Sequence, residues 1–378
     1  MSLLAQGDYH PEGVLSACRR LLSPLGGMEH FVPPGSRVLL KPNLVLGRDP
    51  GRAVNTHPAL VRAVAILARE AGASWLGLGD SPGIGSVQQA IAGAGLLPVV
   101  EELELDVVEF TPTVVRTTGV FPRLELAAEV MTADVLINLP KLKTHAQMFL
   151  SLAVKNLFGT VPGARKLQWH YRAGRDRLVF ARMLNAVAQA GRPALSLVDA
   201  VWGMDSYGPT SGRARPVGFL AAGADPWAVD AVLMDVLGIE RQRLFTLADA
   251  SQNGPHGWET ALAVGDSPEK LRPADWRLPE LTTLQMHGRL VEHYLPGLAS
   301  WLRERLAPPP YAGEGCDSCG TCRRLCPAGA IRGEGGKPEF DSRLCLRCYC
   351  CHELCPRGAM KITRGGLIQR LLGIAGED

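Results

Sequence analysis

With 378 residues, 46% of them hydrophobic and 20% charged, the chain has the make-up of a soluble globular protein. Its length is more than one core usually organises, so two or more domains are expected. A formal net charge of +3 is too small to point to nucleic acid or a membrane surface as partner, and no apolar run reaches the roughly 18 residues of a spanning helix.

The N-terminal stretch MSLLAQGDYHPEG has neither a basic region nor a long apolar core. It does not read as a signal peptide, and a cytoplasmic location is expected. Short apolar segments bounded by turn residues then follow: SRVLLK (36–41), SWLGLG (74–79), DVLINL (134–139), ALSLVD (194–199) and VGFLAA (217–222). Amphipathic stretches lie between several of them, such as PALVRAVAILAREAG (58–72) and DPWAVDAVLMDVLG (225–238). This alternation predicts an α/β fold over residues 1–306, a mostly parallel sheet flanked by helices, and leaves room for a second lobe within 180–300. APPPYAGEG (307–315) reads as a stiff linker. A small cysteine-rich α+β domain is expected over 316–363, and a tail (364–378) with an apolar stripe that packs on the body.

Polar residues gather where the predicted strands end. KPNLV (41–45) supplies Lys41 and Asn43, GDSPGIGS (79–86) supplies Asp80 and Ser81, and NLPKLKTH (138–145) supplies Asn138, Lys141, Lys143 and His145. A further strand ends at Asp199, before Asp205 and a glycine-rich loop. Ligands of open α/β sheets bind beyond the carboxyl ends of the strands, so these segments are expected to share one site. Its lysines and amides suit a small anionic substrate or cofactor. Ser86, taken alone, reads as a helix N-cap. The run LPKLKTHAQMFLSLAVKNLFG (139–159) sets cations among apolar residues, and a helix through 148–159 would put Ser151 and Lys155 on one face. His145 is the best candidate acid–base because it changes protonation near neutral pH. Lys155 is the key site lysine, with Lys41, Asn43, Lys141, Lys143 and Asn156 positioning an anion.

Nine of the ten cysteines lie between 316 and 355. Cys316, Cys319, Cys322 and Cys326 give C-x2-C-x2-C-x3-C-P, and Cys345, Cys348, Cys351 and Cys355 repeat it. The repeat extends from CPAGAI to CPRGAM, an internal duplication. In such runs three cysteines hold one cubane and the fourth ligates the other. That pairs Cys355 with Cys316, Cys319 and Cys322, and Cys326 with Cys345, Cys348 and Cys351. Two zinc sites could use the same eight thiols, but the spacing resembles bacterial-type dicluster ferredoxins. Two 4Fe–4S clusters are therefore expected, suited to one-electron relay with a redox protein partner. Cys350 and Cys18 are surplus, Cys350 as a packed thiol.

KPNLV, GDSPG, PKLKTH, AVKNLFG, PGARKLQWH and GMDSYGPTSG together resemble the family known as domain of unknown function 362, whose members are often fused to a dicluster module. Residues 143–170 are also similar to a segment of the nickel-pincer lactate racemases. The resemblance implies an acid–base role for His145, a cofactor-holding lysine at Lys155 and a metal-ligating histidine at His170, with Pro162-Gly163 between. Where the racemases carry Gly-Thr-His, this chain has Gly79-Asp80-Ser81, so a second histidine base is absent.

The leading expectation is an iron–sulfur oxidoreductase whose clusters exchange electrons with a substrate, or with a further unidentified cofactor, at the strand ends. A racemase- or epimerase-like enzyme with structural or sensory clusters is the alternative, and a non-catalytic carrier that docks a redox partner is the third.

Overall fold

A computed structural model of the chain describes residues 1–117, 120–279 and 310–362. Residues 307–309 of the expected linker, residue 363 and the tail 364–378 lie outside the described residues.

Twelve strands belong to the first 279 residues: β1 (Ser2–Ala5), β2 (Arg37–Pro42), β3 (Trp75–Gly79), β4 (Asp106–Val108), β5 (Pro112–Arg116), β6 (Arg123–Ala127), β7 (Val135–Leu139), β8 (Lys141–His145), β9 (Phe149–Ser151), β10 (Leu195–Asp205), β11 (Arg213–Gly223) and β12 (Val264–Gly265). Ten of them form one sheet in the order β12, β1, β11, β10, β7, β2, β3, β4, with β8 beside β10 and β9 beside β8. The centre, β10-β7-β2-β3-β4, is parallel throughout, while β11 pairs antiparallel with β10 and β1. The fold is thus α/β, a mostly parallel mixed sheet flanked by helices. β5 and β6 form a separate antiparallel ribbon.

Every residue of β7, VLINL, is buried, as a strand covered on both faces requires. Its residues divide with period two. Leu39 and Leu136 face a core built with α8 (Arg177–Gly191), α9 (Pro226–Val236) and α10 (Phe245–Asn253). Val38, Leu40, Val135 and Ile137 face a core built with α1 (Pro11–Leu22) and α2 (Pro58–Glu70). The helices start where the sequence supplies caps. Asp176 accepts from the amides of Leu178 and Val179, and Asp225 from those of Trp227 and Ala228. Ser86 forms a reciprocal capping box with Gln89 at the start of α3 (Val87–Gly93), its helix N-cap reading.

Three expectations are corrected. β10 does not end at Asp199; it continues to Asp205 and turns back as β11, so only residues 206–212 form the loop. The helix expected over 148–159 is broken into β9, α6 (Ala153–Asn156) and a 3-10 turn (Leu157–Thr160). Ser151 instead pairs with Lys143 across a hairpin, and Phe149 takes a φ of 75°, outside helical space. Residues 177–253 form no second lobe, because α8, α9 and α10 pack on the common sheet.

The cysteine-rich segment folds as two ribbons and two single-turn helices. β13 (Pro310–Ala312) pairs with β16 (Met360–Ile362), and β14 (Ile331–Arg332) with β15 (Glu339–Phe340). The helical turns are Thr321–Arg324 and Cys350–Glu353. The sequence duplication reappears in the backbone. Ser318, Gly320 and Gly329 have φ of 58°, 68° and 59°, and their repeat counterparts Arg347, Tyr349 and Gly358 have 57°, 57° and 63°.

Gly159 marks the tightest packing beside the sheet edge. A Cβ there would lie 2.0 Å from Asp80 Oδ1 and 2.6 Å from Lys41 Nζ. Gly159→Ala is expected to lower unfolding stability by about 1–3 kcal/mol. In the same urea titration Gly191→Ala, which meets nothing within 4 Å, should be neutral or slightly stabilising within about 1 kcal/mol.

Candidate functional site

The strand-end lysines are buried, and most are matched. Lys41 Nζ lies 2.9 Å from Asp80 Oδ1, with both side chains almost fully buried. Asp80 also accepts from the amides of Ser81 (2.9 Å) and Leu44 (2.7 Å), which engages both of its oxygens. Lys141 Nζ lies 2.9 Å from Asp199 and donates to the Tyr9 hydroxyl at 2.7 Å. Asp199 in turn accepts from Tyr9 (2.6 Å) and the His57 amide (2.8 Å). Lys143 has no carboxylate beside it; it donates to Asn43 Oδ1 (2.8 Å) and the Val54 carbonyl (2.7 Å), and burial pushes its pKa down to about 7. Asn43 donates to Asn156, Asn156 to Asn138 and Asn138 to Ser196, at 2.7, 2.8 and 3.1 Å, so Lys143 heads a chain of amides under the sheet edge.

Beyond that layer lies a cavity of about 240 Å³. Asn43, Asp80, Ser81, His145, Lys155, Asn156 and His170 line it; Lys41, Lys141 and Lys143 do not. The expectation that Lys141 shares this pocket is therefore corrected: its charge is spent on Asp199, on the Tyr9 side of the sheet edge. Lys41 and Lys143 lie in the layer behind the lining residues, so their expected direct place in the site is corrected too.

Lys155 sits on α6, whose first turn is pinned from α9. Asp230 accepts from the amides of Ala153 (2.7 Å) and Val154 (3.2 Å). Lys155 is 9% exposed. Among the described residues its Nζ has no hydrogen bond or ion pair and lies 5.5 Å from the Phe158 ring. Burial lowers its pKa. Lys166, from α7 (Arg165–Ala173), also lines the cavity, donates to the Ser81 and Pro82 carbonyls, and is pushed down to about 8 by burial.

His145 ends β8. Its Nδ1 accepts from the amides of Gln147 (3.1 Å) and Met148 (3.3 Å), which places the proton on Nε2. That Nε2 points at Glu353 Oε2, 3.5 Å away, too long for a full hydrogen bond, so it keeps donor capacity toward the cavity. Burial and then Lys155 push His145 down to about 4. His170, on α7, stacks on Phe180 with ring centroids 4.4 Å apart. Its buried Nδ1 has no partner, and burial pushes its pKa down to about 3. Burial alone would raise the Glu353 carboxyl, but His145, Lys155 and His170 outweigh it and hold Glu353 below the usual range.

Glu353 belongs to the cysteine-rich segment, which docks over this cavity. Thr210 Oγ1 donates to the Glu353 carbonyl (3.0 Å), Arg48 to those of Cys355 (3.1 Å) and Pro356 (2.5 Å), and Arg175 to that of Arg343 (2.9 Å). Leu354 fills the space over Gly83, where a Cβ would lie 2.1 Å from its Cδ2. Sequence reasoning missed Glu353, Lys166 and Asp230. The signal for Glu353 was a break in the internal repeat: His352-Glu353 stand where the first copy has Arg323-Arg324.

The eight motif cysteines ring two cavities. Cys316, Cys319, Cys322 and Cys355 line one; Cys326, Cys345, Cys348 and Cys351 line the other. The fourth thiol of each set thus comes from the other sequence repeat. The amides of Ala330 and Ala359 donate to Cys326 Sγ and Cys355 Sγ, each at 3.3 Å. Such N–H donors suit thiolate ligands of a cluster. Among the described residues no three His, Cys, Asp or Glu side chains close on a single ion point. Cys350, 2% exposed, lines both the second cysteine cavity and the α/β cavity, a place its reading as a surplus packed thiol did not anticipate.

The buried histidines make stability pH-dependent. A folded-state pKa below the unfolded value of roughly 6.5 means that only the unfolded chain takes up a proton just below that pH. Stability should therefore fall as pH drops from about 6.5 to about 4, by roughly 3 kcal/mol for each of His145 and His170. Urea unfolding at stepped pH checks this, and His170→Phe should flatten the slope.

Comparison with known proteins places the chain in context. The family model described as domain of unknown function (DUF362) matches residues 38–235, just over half of the chain. A thylakoid-associated protein of Synechocystis sp. is 43% identical over 283 residues, covering 74% of this chain and 88% of that protein. Among solved structures, the lactate racemase apoprotein of Thermoanaerobacterium thermosaccharolyticum aligns at 14% identity and a TM-score of 0.41, over 59% of this chain and 54% of its own. A Thermotoga maritima protein aligns at 10% identity and a TM-score of 0.38, over 53% and 52%. The chain thus spans about half the length of these two structures. Among the described residues no helix is long and apolar enough to cross a membrane. With the family model over the sheet and its site, and a relative aligned along most of its length, the chain belongs to the DUF362 family.

Proposed function

We propose that this protein is an iron–sulfur oxidoreductase acting on a small anionic substrate, or on a further cofactor, in the cavity beneath Glu353. The observation that carries this reading is the crossed pair of four-cysteine cavities, one of which shares Cys350 with the basic cavity. Cys316, Cys319, Cys322 and Cys355 would hold one 4Fe–4S cluster, and Cys326, Cys345, Cys348 and Cys351 the other. When bound, such clusters supply one-electron relay. Free thiols in this number suit a reducing compartment such as the cytoplasm.

The remaining chemistry belongs to side chains. Lys155 offers a buried amine that meets no carboxylate at contact distance among the described residues and that a bound anion would hold in its charged form, and Lys166 offers a second such group in the same wall. Together they orient an anion. His145 is held neutral and presents Nε2–H to the cavity, where it can donate a hydrogen bond to a polarised oxygen of the bound anion. The Glu353 carboxylate faces the same nitrogen. Asp80 cannot act as a second base, because Lys41 and two amides occupy its oxygens.

Protein purified without oxygen should contain about eight irons and about eight sulfides per chain. Stoichiometric zinc without sulfide would overturn the reading. Cys355→Ser should damage the cluster of the first repeat and Cys326→Ser that of the second, seen as selective loss of one paramagnetic signal; Cys350→Ala should keep both. Lys155→Ala should abolish calorimetric binding of small carboxylates and inorganic phosphate without changing iron content. His145→Ala should keep that binding and lose turnover.

A further inference from the structure

The two cysteine cavities differ in their surroundings. Among the described residues no charged side chain lines the cavity of Cys326, Cys345, Cys348 and Cys351, and three of those four thiols are buried. This inner cavity meets the α/β cavity through Cys350. The cavity of Cys316, Cys319, Cys322 and Cys355 opens outward: Cys319 is exposed, and Cys316 and Cys322 are half-buried. Among the described residues Arg323, Arg332 and Arg357 line it with one lining carboxylate, Asp317, which Arg357 pairs at 2.8 Å, while Arg332 lies 3.5 Å from Asp341 just outside the lining. Arg332 and Arg357 keep 72% and 65% of their side chains exposed. Arg324 reaches the Cys319 carbonyl at 3.0 Å, and Arg48 reaches that of Cys355 at 3.1 Å. Arg48 also feels the positive charge of Arg52 and Arg357.

Arginines flank both cavities, since Arg347 and Arg175 reach the Cys345 carbonyl at 3.1 and 3.3 Å, but among the described residues arginine side chains line only the outward cavity, and two of these are largely exposed. Both cavities offer four thiols and one matched N–H···S hydrogen bond at their crossed cysteines. An exposed positive rim raises the encounter rate and affinity of a negatively charged partner.

Resting on the cluster reading above, we infer that the face around Cys316, Cys319 and Cys322 docks an acidic redox protein, a small carrier with carboxylates around its own redox centre. The exposed cavity then serves the protein partner, and the buried one serves the substrate cavity.

The test titrates the iron-loaded full chain with a purified acidic two-iron ferredoxin, and separately with a basic c-type cytochrome, by calorimetry. Binding to the ferredoxin, weakening about tenfold or more between about 20 and 200 mM salt, is expected. Arg332→Glu and Arg52→Glu should each weaken it several-fold with iron content unchanged, whereas Arg19→Glu, paired with Glu70 on α1, should leave it as it was. No ferredoxin binding by iron-loaded protein, binding indifferent to salt, or tighter binding of the basic cytochrome overturns this inference alone. Purified protein that holds zinc and no sulfide overturns the cluster reading, and this inference with it.

Discussion

An unmatched ammonium buried under a sheet edge costs several kcal/mol, and this chain buries four lysines there, Lys41, Lys141, Lys143 and Lys155. Lys41, Lys141 and Lys143 are at most 1% exposed. Two are answered by carboxylates from neighbouring strand ends, Asp80 and Asp199. The third is answered by an amide and a carbonyl. The three lysines stand on β2 and β8, and their partners come from β10 and the segments after β2 and β3. The charge matching therefore locks the carboxyl edge of the sheet into one arrangement. Gly159 is part of the same constraint, since the Lys41–Asp80 pair occupies the space any side chain there would need.

Lys155 is the exception that gives the edge its chemistry. It reaches the cavity from a helix held in place by Asp230, and no carboxylate meets it at contact distance. Across the cavity stands Glu353, delivered by a different part of the chain. The cavity wall is thus composite: lysines and histidines from the α/β body, a carboxylate and a thiol from the cysteine-rich segment. Docking through Thr210, Arg48 and Gly83 completes the wall at the same time as it brings the inner cysteine cavity alongside. The facing of His145 Nε2 by the Glu353 carboxylate therefore exists only when the two parts are together.

The alternation of apolar segments with amphipathic ones was enough to read a mostly parallel α/β sheet, and the strands at 37–42, 75–79 and 135–139 lie within a residue of where the pattern puts them. Local patterning failed over 148–159, where apolar spacing suits a helix but the hairpin pairing of Lys143 with Ser151 wins. It failed again at Asp199, because a strand that becomes the outer part of a hairpin carries no signal at the point where it leaves the parallel core. The gathering of Asn43, Asp80, Ser81, His145, Lys155, Asn156 and His170 around one cavity follows from a topological rule about strand ends.

Residue type and spacing alone determined the fold class, the duplicated cysteine pattern and the family likeness, because these depend on periodicity and on local chain geometry. Only the tertiary structure decided which lysines are spent and which is left. Lys41, Lys141, Lys143 and Lys155 look alike in sequence, and nothing local separates them. A buried charge is settled by the partner that folding brings within about 3 Å: Asp80, Asp199 and Asn43 lie 39, 58 and 100 residues from the lysines they meet, and among the described residues Lys155 meets no such partner.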